Sequence, residues 1–159
     1  MTEADSGGEG REVSDRVLRV DAAVVALIQK HGRDAYPHEC CGALIGTGNV
    51  VSSGCQIPNT TEEGPRSRFL VRPADYRAAE GRATELGQEL LGFYHSHPDH
   101  PARPSQYDLD HAWPVFAYVI IAIEHGEPGT MTSWRLRDDR SMFDEEQIDI
   151  GTDRTDYGQ

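Results

Sequence analysis

The stretch Leu90–Asp108, LLGFYHSHPDHPARPSQYD, decides how this chain reads. An apolar run ends in His95-Ser96-His97-Pro98, and a proline-rich loop then leads to Ser105 and Asp108. Side chains alternate between the two faces of a strand, so His95 and His97 share a face with their ring nitrogens in reach of one ion. Asp108, eleven residues beyond His97, can add an oxygen after the chain turns back. Two nitrogens and one carboxylate leave a fourth tetrahedral position open for water, which separates catalytic zinc sites from closed structural ones. The pattern predicts a metal hydrolase with one Zn2+ per chain.

A His-x-His pair alone carries little weight. With 7 His in 159 residues, chance supplies about 0.3 such pairs per chain. Requiring Ser105 and Asp108 at the later offsets lowers that expectation to roughly one in several hundred. Ser105-Gln106-Tyr107-Asp108 also reads as a capping box, with Ser105 as N-cap and an acid at N3 of a short helix. The two readings are compatible, because a helix start is a stiff mount for a ligand.

The spacing His95-Ser96-His97-Pro98, six residues, Ser105, two residues, Asp108 resembles the signature of the JAMM (MPN+) metallopeptidases. That family also carries an early glutamate in the pattern Glu-x-x-Gly-x-Leu-x-Gly. Glu39-Cys40-Cys41-Gly42-Ala43-Leu44-Ile45-Gly46 fits it at every fixed position. The resemblance covers approximately residues 16 to 137. It implies an α/β fold, a mixed β-sheet flanked by helices, related to the cytidine-deaminase-like architecture. It also implies His95, His97 and Asp108 as zinc ligands, Glu39 as general base and acid, and Ser105 as hydrogen-bond donor to the oxyanion.

The length predicts one domain with a single core. Residues 1–12 read as a disordered tail, 13–143 as the catalytic domain, and the acidic stretch 144–159 as a mobile tail. No apolar run is long enough to span a membrane, and the acidic N-terminus lacks a signal-peptide core. Three cysteines, two of them adjacent, argue against a disulfide framework and for a reducing cytoplasm. A net charge of −12 disfavours nucleic acid and anionic membrane as partners. Lys30 is the sole lysine, which suits either a salt-rich cytoplasm or a GC-rich genome.

Along the chain, residues 17–20 read as a strand, Asp21 as an N-cap and 22–31 as a helix with helical apolar spacing. Strands are expected over 39–45, 50–57, 66–71, 90–95, 115–123 and 131–137, with a hairpin loop at 46–49. Pro73 opens a second helix running to Leu86. Cys40 and Cys41 read as small buried hydrophobes, since no Cys-x-x-Cys partner accompanies them. Among the other histidines, His38 and His111 read as loop or surface, and His100 as a candidate substrate contact.

The resemblance implies hydrolysis of the amide or isopeptide bond after the C-terminus of a ubiquitin-like or sulfur-carrier protein. Its Gly-Gly tail would add as a strand beside the site. The short stretch after Asp108 favours the compact prokaryotic type, acting on ThiS/MoaD-type carriers, over forms with a large specificity insertion. A general isopeptidase acting on modified lysines needs the same residues. A non-catalytic binding module is the third reading, and it predicts no effect of changing Glu39.

Overall fold

The apolar run that reads as a buried strand forms the middle of the sheet. The computed structural model describes residues 16–58 and 71–152. Within it, β5 (Ala117–Glu124) is buried on both faces, residues 119–123 being at most 6% exposed. Val115, expected as part of this strand, is 74% exposed in the turn before it. The strand order is β1 (Val17–Asp21), β3 (Val50–Ile57), β2 (Cys41–Thr47), β4 (Glu89–Pro98), β5, β6 (Glu127–Leu136) and β7 (Phe143–Thr152). The pairs β1–β3, β1–β7 and β4–β5 are parallel and the rest antiparallel, so the sheet is mixed. Pairing of β1 with β7 closes it into a barrel, a closure the element pattern did not predict.

Among the described residues three helices complete the α/β architecture: α1 (Ala22–Ala35), α2 (Pro73–Glu85) and α3 (Gln106–His111). The apolar stripe of α1 buries Val24, Val25 and Ile28 in a core built with Leu18, Leu44, Tyr94, Val119 and Ile121. Each such side chain contributes roughly 1.5–3 kcal/mol when fully buried. α2 places Ala79 in a second cluster with Cys41, Phe93 and Phe116. The alternation along β4 is what matters for the site. Tyr94 enters the α1 core, Phe93 enters the other cluster, and His95 and His97 follow Phe93 in phase.

The glycines of the Glu39 pattern answer to packing. A Cβ on Gly42 would fall 2.3 Å from the Tyr94 ring, and one on Gly46 would fall 1.8 Å from the Val50 carbonyl oxygen. Leu44, the apolar member of the same pattern, is fully buried in the α1 core.

The acidic stretch 144–159 is not a mobile tail over its described part. Residues 143–152 form β7, which pairs with β6 at Ser133–Leu136 and with β1 at Val17–Asp21. Backbone hydrogen bonding is indifferent to acidic composition, and the buried Glu146 carboxylate is compensated. It accepts from Ser133 Oγ at 2.7 Å and Arg135 Nε at 3.0 Å. The structured body therefore extends past residue 143. The strand over 39–45 begins instead at Cys41, leaving Glu39 just ahead of it, and 46–49 narrows to a two-residue turn at Gly48-Asn49. The 1–12 tail, residues 153–159 and the 66–71 strand up to residue 70 lie outside the described residues. Among the described residues no helix is long and apolar enough to cross a membrane.

Candidate metal centre and cleft

β4 brings the two imidazoles to its C-terminal end, where it is flanked on both sides. His95 is paired with Cys41 of β2 and Ile120 of β5, and His97 with Ala122 of β5. The rings are buried, and their Nε2 atoms face each other at 3.0 Å. Asp108 Oδ2 stands 3.3 Å from His95 Nε2 and 3.4 Å from His97 Nε2. Donor atoms bound about 2.0–2.2 Å from a tetrahedral ion stand roughly 3.3–3.6 Å apart, a spacing the two Asp108 contacts match and the 3.0 Å between the imidazole nitrogens falls just short of.

The protonation pattern fits an ion. His97 Nδ1 lies 2.7 Å from the Pro101 carbonyl oxygen, to which it donates its proton, so in the neutral ring Nε2 carries the lone pair. Burial pushes His95 below the ordinary histidine range, against the opposing pull of Asp108, and so favours a neutral ring. At Asp108 burial acts upward. Its contacts with His95 and His97, in the state where those imidazoles carry the proton that an ion would displace, and the Ser105 N–H outweigh it, holding the carboxyl well below its usual range. With both imidazoles deprotonated at Nε2, three electron-rich atoms converge on one point, an arrangement that could hold a metal ion. Among the described residues this is the one group of three or more His, Cys, Asp or Glu placed to hold a metal.

The capping box expected at α3 is present and reciprocal. Ser105 Oγ accepts from the Asp108 N–H at 3.1 Å, and Asp108 Oδ2 accepts from the Ser105 N–H at 2.8 Å. One carboxylate oxygen therefore closes the helix start and completes the triad. Behind the ligands, the side chain between the two histidines works on the opposite face. Ser96 Oγ accepts from the Cys40 N–H at 2.9 Å, and the Ser96 N–H donates to the Cys40 carbonyl at 3.0 Å. This clasp fixes the residue that follows Glu39. Burial raises the Cys40 thiol to about 11 and raises Cys41 further, so both stay neutral, as small buried hydrophobes do.

Glu39, Ser105 and Asp108 come together with His97 in the walls of one cleft of about 420 Å³. His100, Pro101, Arg103, Gln106 and Tyr107 complete it, so His100 does border the site while the exposed His38 and His111 do not line this cleft. Its neighbour is a chamber of about 40 Å³ that shares Tyr107 and Asp108 and is walled by His95, Phe93, Trp113, Tyr118 and Ile120. The residues that sequence reasoning did not find are the Pro101 carbonyl, which orients His97, and Arg103 and Tyr107 in the cleft wall. A backbone carbonyl leaves no signal in side-chain identity.

A barrel-closed α/β domain with a His-His-Asp cluster and a nearby glutamate defines the JAB/MPN class. The profile described as prokaryotic homologs of the JAB domain matches residues 21–137, and the chain belongs to that family. A desampylase of Haloferax volcanii is 32% identical over 87 residues, covering 53% of this chain and 62% of that protein. The chain spans less than two thirds of the length of the curated relatives it matches. A solution structure from Desulfitobacterium hafniense aligns with a TM-score of 0.74 at 28% identity, over 88% of this chain and 97% of that one. Another, from Salinibacter ruber, gives 0.66 at 40% identity, over 86% and 93%.

Proposed function

We propose that this domain is a zinc-dependent hydrolase that cleaves the amide or isopeptide bond following the C-terminus of a ubiquitin-like or sulfur-carrier protein. The observation that carries the reading is the convergence of His95, His97 and Asp108 in a cleft that also contains Glu39 and Ser105. Likeness to a protein named desampylase supports it. The metal ligands would be His95 Nε2, His97 Nε2 and Asp108 Oδ2, and a zinc ion there supplies Lewis acidity and lowers the pKa of water toward 7.

The chain's own residues supply the rest. Glu39 takes a proton from the attacking water and returns it to the departing amine, so that the amide nitrogen leaves neutral. Ser105 donates its hydroxyl to the oxyanion while its backbone N–H keeps Asp108 in place. Pro101 holds the His97 tautomer. β5 pairs with β4 along Gly92–Pro98 and β2 along Glu89–His95, so an extended Gly-Gly tail would add beyond these paired lengths, beside the site.

The two linkages require the same residues, and the substrate decides between them. Purified protein is offered a carrier–cysteine adduct and a carrier joined to a lysine side chain. Release of cysteine alone supports the α-amide activity and release from lysine alone the isopeptidase. Release of neither, by zinc-loaded protein, removes the hydrolase reading.

A further inference from the structure

A side-chain hydrogen bond ties the loop that follows the histidines to the segment that carries Glu39. Asp99 lies midway between His97 and Pro101 and has φ 58°, a conformation that non-glycine residues adopt only when their surroundings hold them there. Three contacts hold it. Its N–H donates to the Ile123 carbonyl at 2.7 Å, and its Oδ1 accepts from the His125 N–H at 2.8 Å. Its Oδ2 accepts from the Tyr36 hydroxyl at 2.6 Å.

Tyr36 is the residue that ends α1, its N–H bonded to the Gly32 carbonyl at 3.2 Å, and it stands three residues before Glu39. The segment from Tyr36 to Cys40 is thus held at both ends. At Cys40 the anchor is the buried clasp with Ser96. At Tyr36 the anchor is the hydroxyl bond to Asp99, which reaches the same loop whose Pro101 carbonyl orients His97.

We infer that the Tyr36–Asp99 hydrogen bond is a positioning device that sets Glu39 against the His97 side of the ligand cluster. The inference rests on the role proposed for Glu39. Neither residue touches substrate in this account; both act through Glu39. The bond is exposed, so it adds little to global stability. A displacement of about 1 Å at a reacting group, in contrast, can cost on the order of 10²-fold in turnover.

The test is Tyr36→Phe in the full chain, assayed on whichever carrier conjugate the wild type cleaves. Expected are a roughly tenfold fall in kcat, KM within about twofold, and unchanged zinc content and melting temperature. Asp99→Asn can keep its Oδ1 on the His125 N–H and donate an amide N–H to the Tyr36 hydroxyl oxygen, and it tolerates positive φ, so it recovers most of the kcat lost in Asp99→Ala. In a Glu39→Gln background Tyr36→Phe should add nothing to the loss. An effect that persists in full there, or one confined to KM, overturns the inference. A crystal structure of Tyr36→Phe tests it without turnover: residues 37–39 should shift relative to His97, and an unmoved Glu39 overturns it. Wild-type inactivity sinks the hydrolase reading instead, full activity of Glu39→Gln removes Glu39 from the mechanism, and the crystallographic comparison still decides the positioning role.

Discussion

Two largely buried carboxylates in this domain have opposite surroundings. Glu146 on β7 has a side chain 1% exposed and meets donors: the Arg135 guanidinium and the Ser133 hydroxyl. Asp108 on α3 has a side chain 13% exposed and meets two imidazoles whose Nε2 atoms also face each other. A buried charge with an Arg partner is a compensated structural element. A buried charge among imidazole nitrogens, with one tautomer held by a backbone carbonyl, is a group that could hold a metal. The difference separates an acid that closes the barrel from one that serves the site.

Removing a ligand should break the comparison most visibly. His97→Ala is expected to reduce zinc from about one per chain to near none and to abolish turnover, as read by elemental analysis and cleavage assay. Unchanged zinc content would remove His97 from the ligand set.

Glu39→Gln leaves all three ligands in place. It should retain zinc and fold while losing roughly 10²–10⁴ in turnover, the range of a general acid–base group. A variant as active as wild type would remove Glu39 from the mechanism and point to another base.

Ser105→Ala separates the two duties of the helix start. Loss of an oxyanion donor typically costs roughly 10²–10³ in turnover, whereas loss of the cap costs only about 1 kcal/mol of stability. A melting-temperature shift with kcat intact would reduce Ser105 to its capping role.

Glu146→Gln should do the reverse of all three. It leaves Arg135 without its charge partner and is expected to cost about 2 kcal/mol in denaturant unfolding, below the usual 3–5 because Arg135 is partly exposed. Zinc content and kcat should not change. A loss of zinc at this position would mean that the two carboxylates are coupled, and the contrast would fail.

The site was more legible than the barrel around it. Strand alternation puts His95 and His97 on one face, and a capping box turns Asp108 back toward Ser105, so both local rules act within nineteen residues of sequence. β7 escaped because its Asp, Glu and Gln content resembles a solvated tail, and its strand identity comes from pairing with β6 and β1 rather than from apolar alternation. Val115 misled in the other direction: an apolar residue beside a buried strand can still end in an exposed turn.

The sequence by itself determined which atoms could bind a metal and where the mixed α/β core lay. Local periodicity and capping control these features over a few residues, so they survive without knowledge of distant partners. Only the tertiary structure decided that β7 closes the barrel, that the Pro101 carbonyl selects the His97 tautomer, and that Tyr36 reaches Asp99 across 63 positions. Each of these depends on backbone groups or residues far apart in the chain, whose meeting is set by how the sheet wraps around α1 and not by any neighbouring residue.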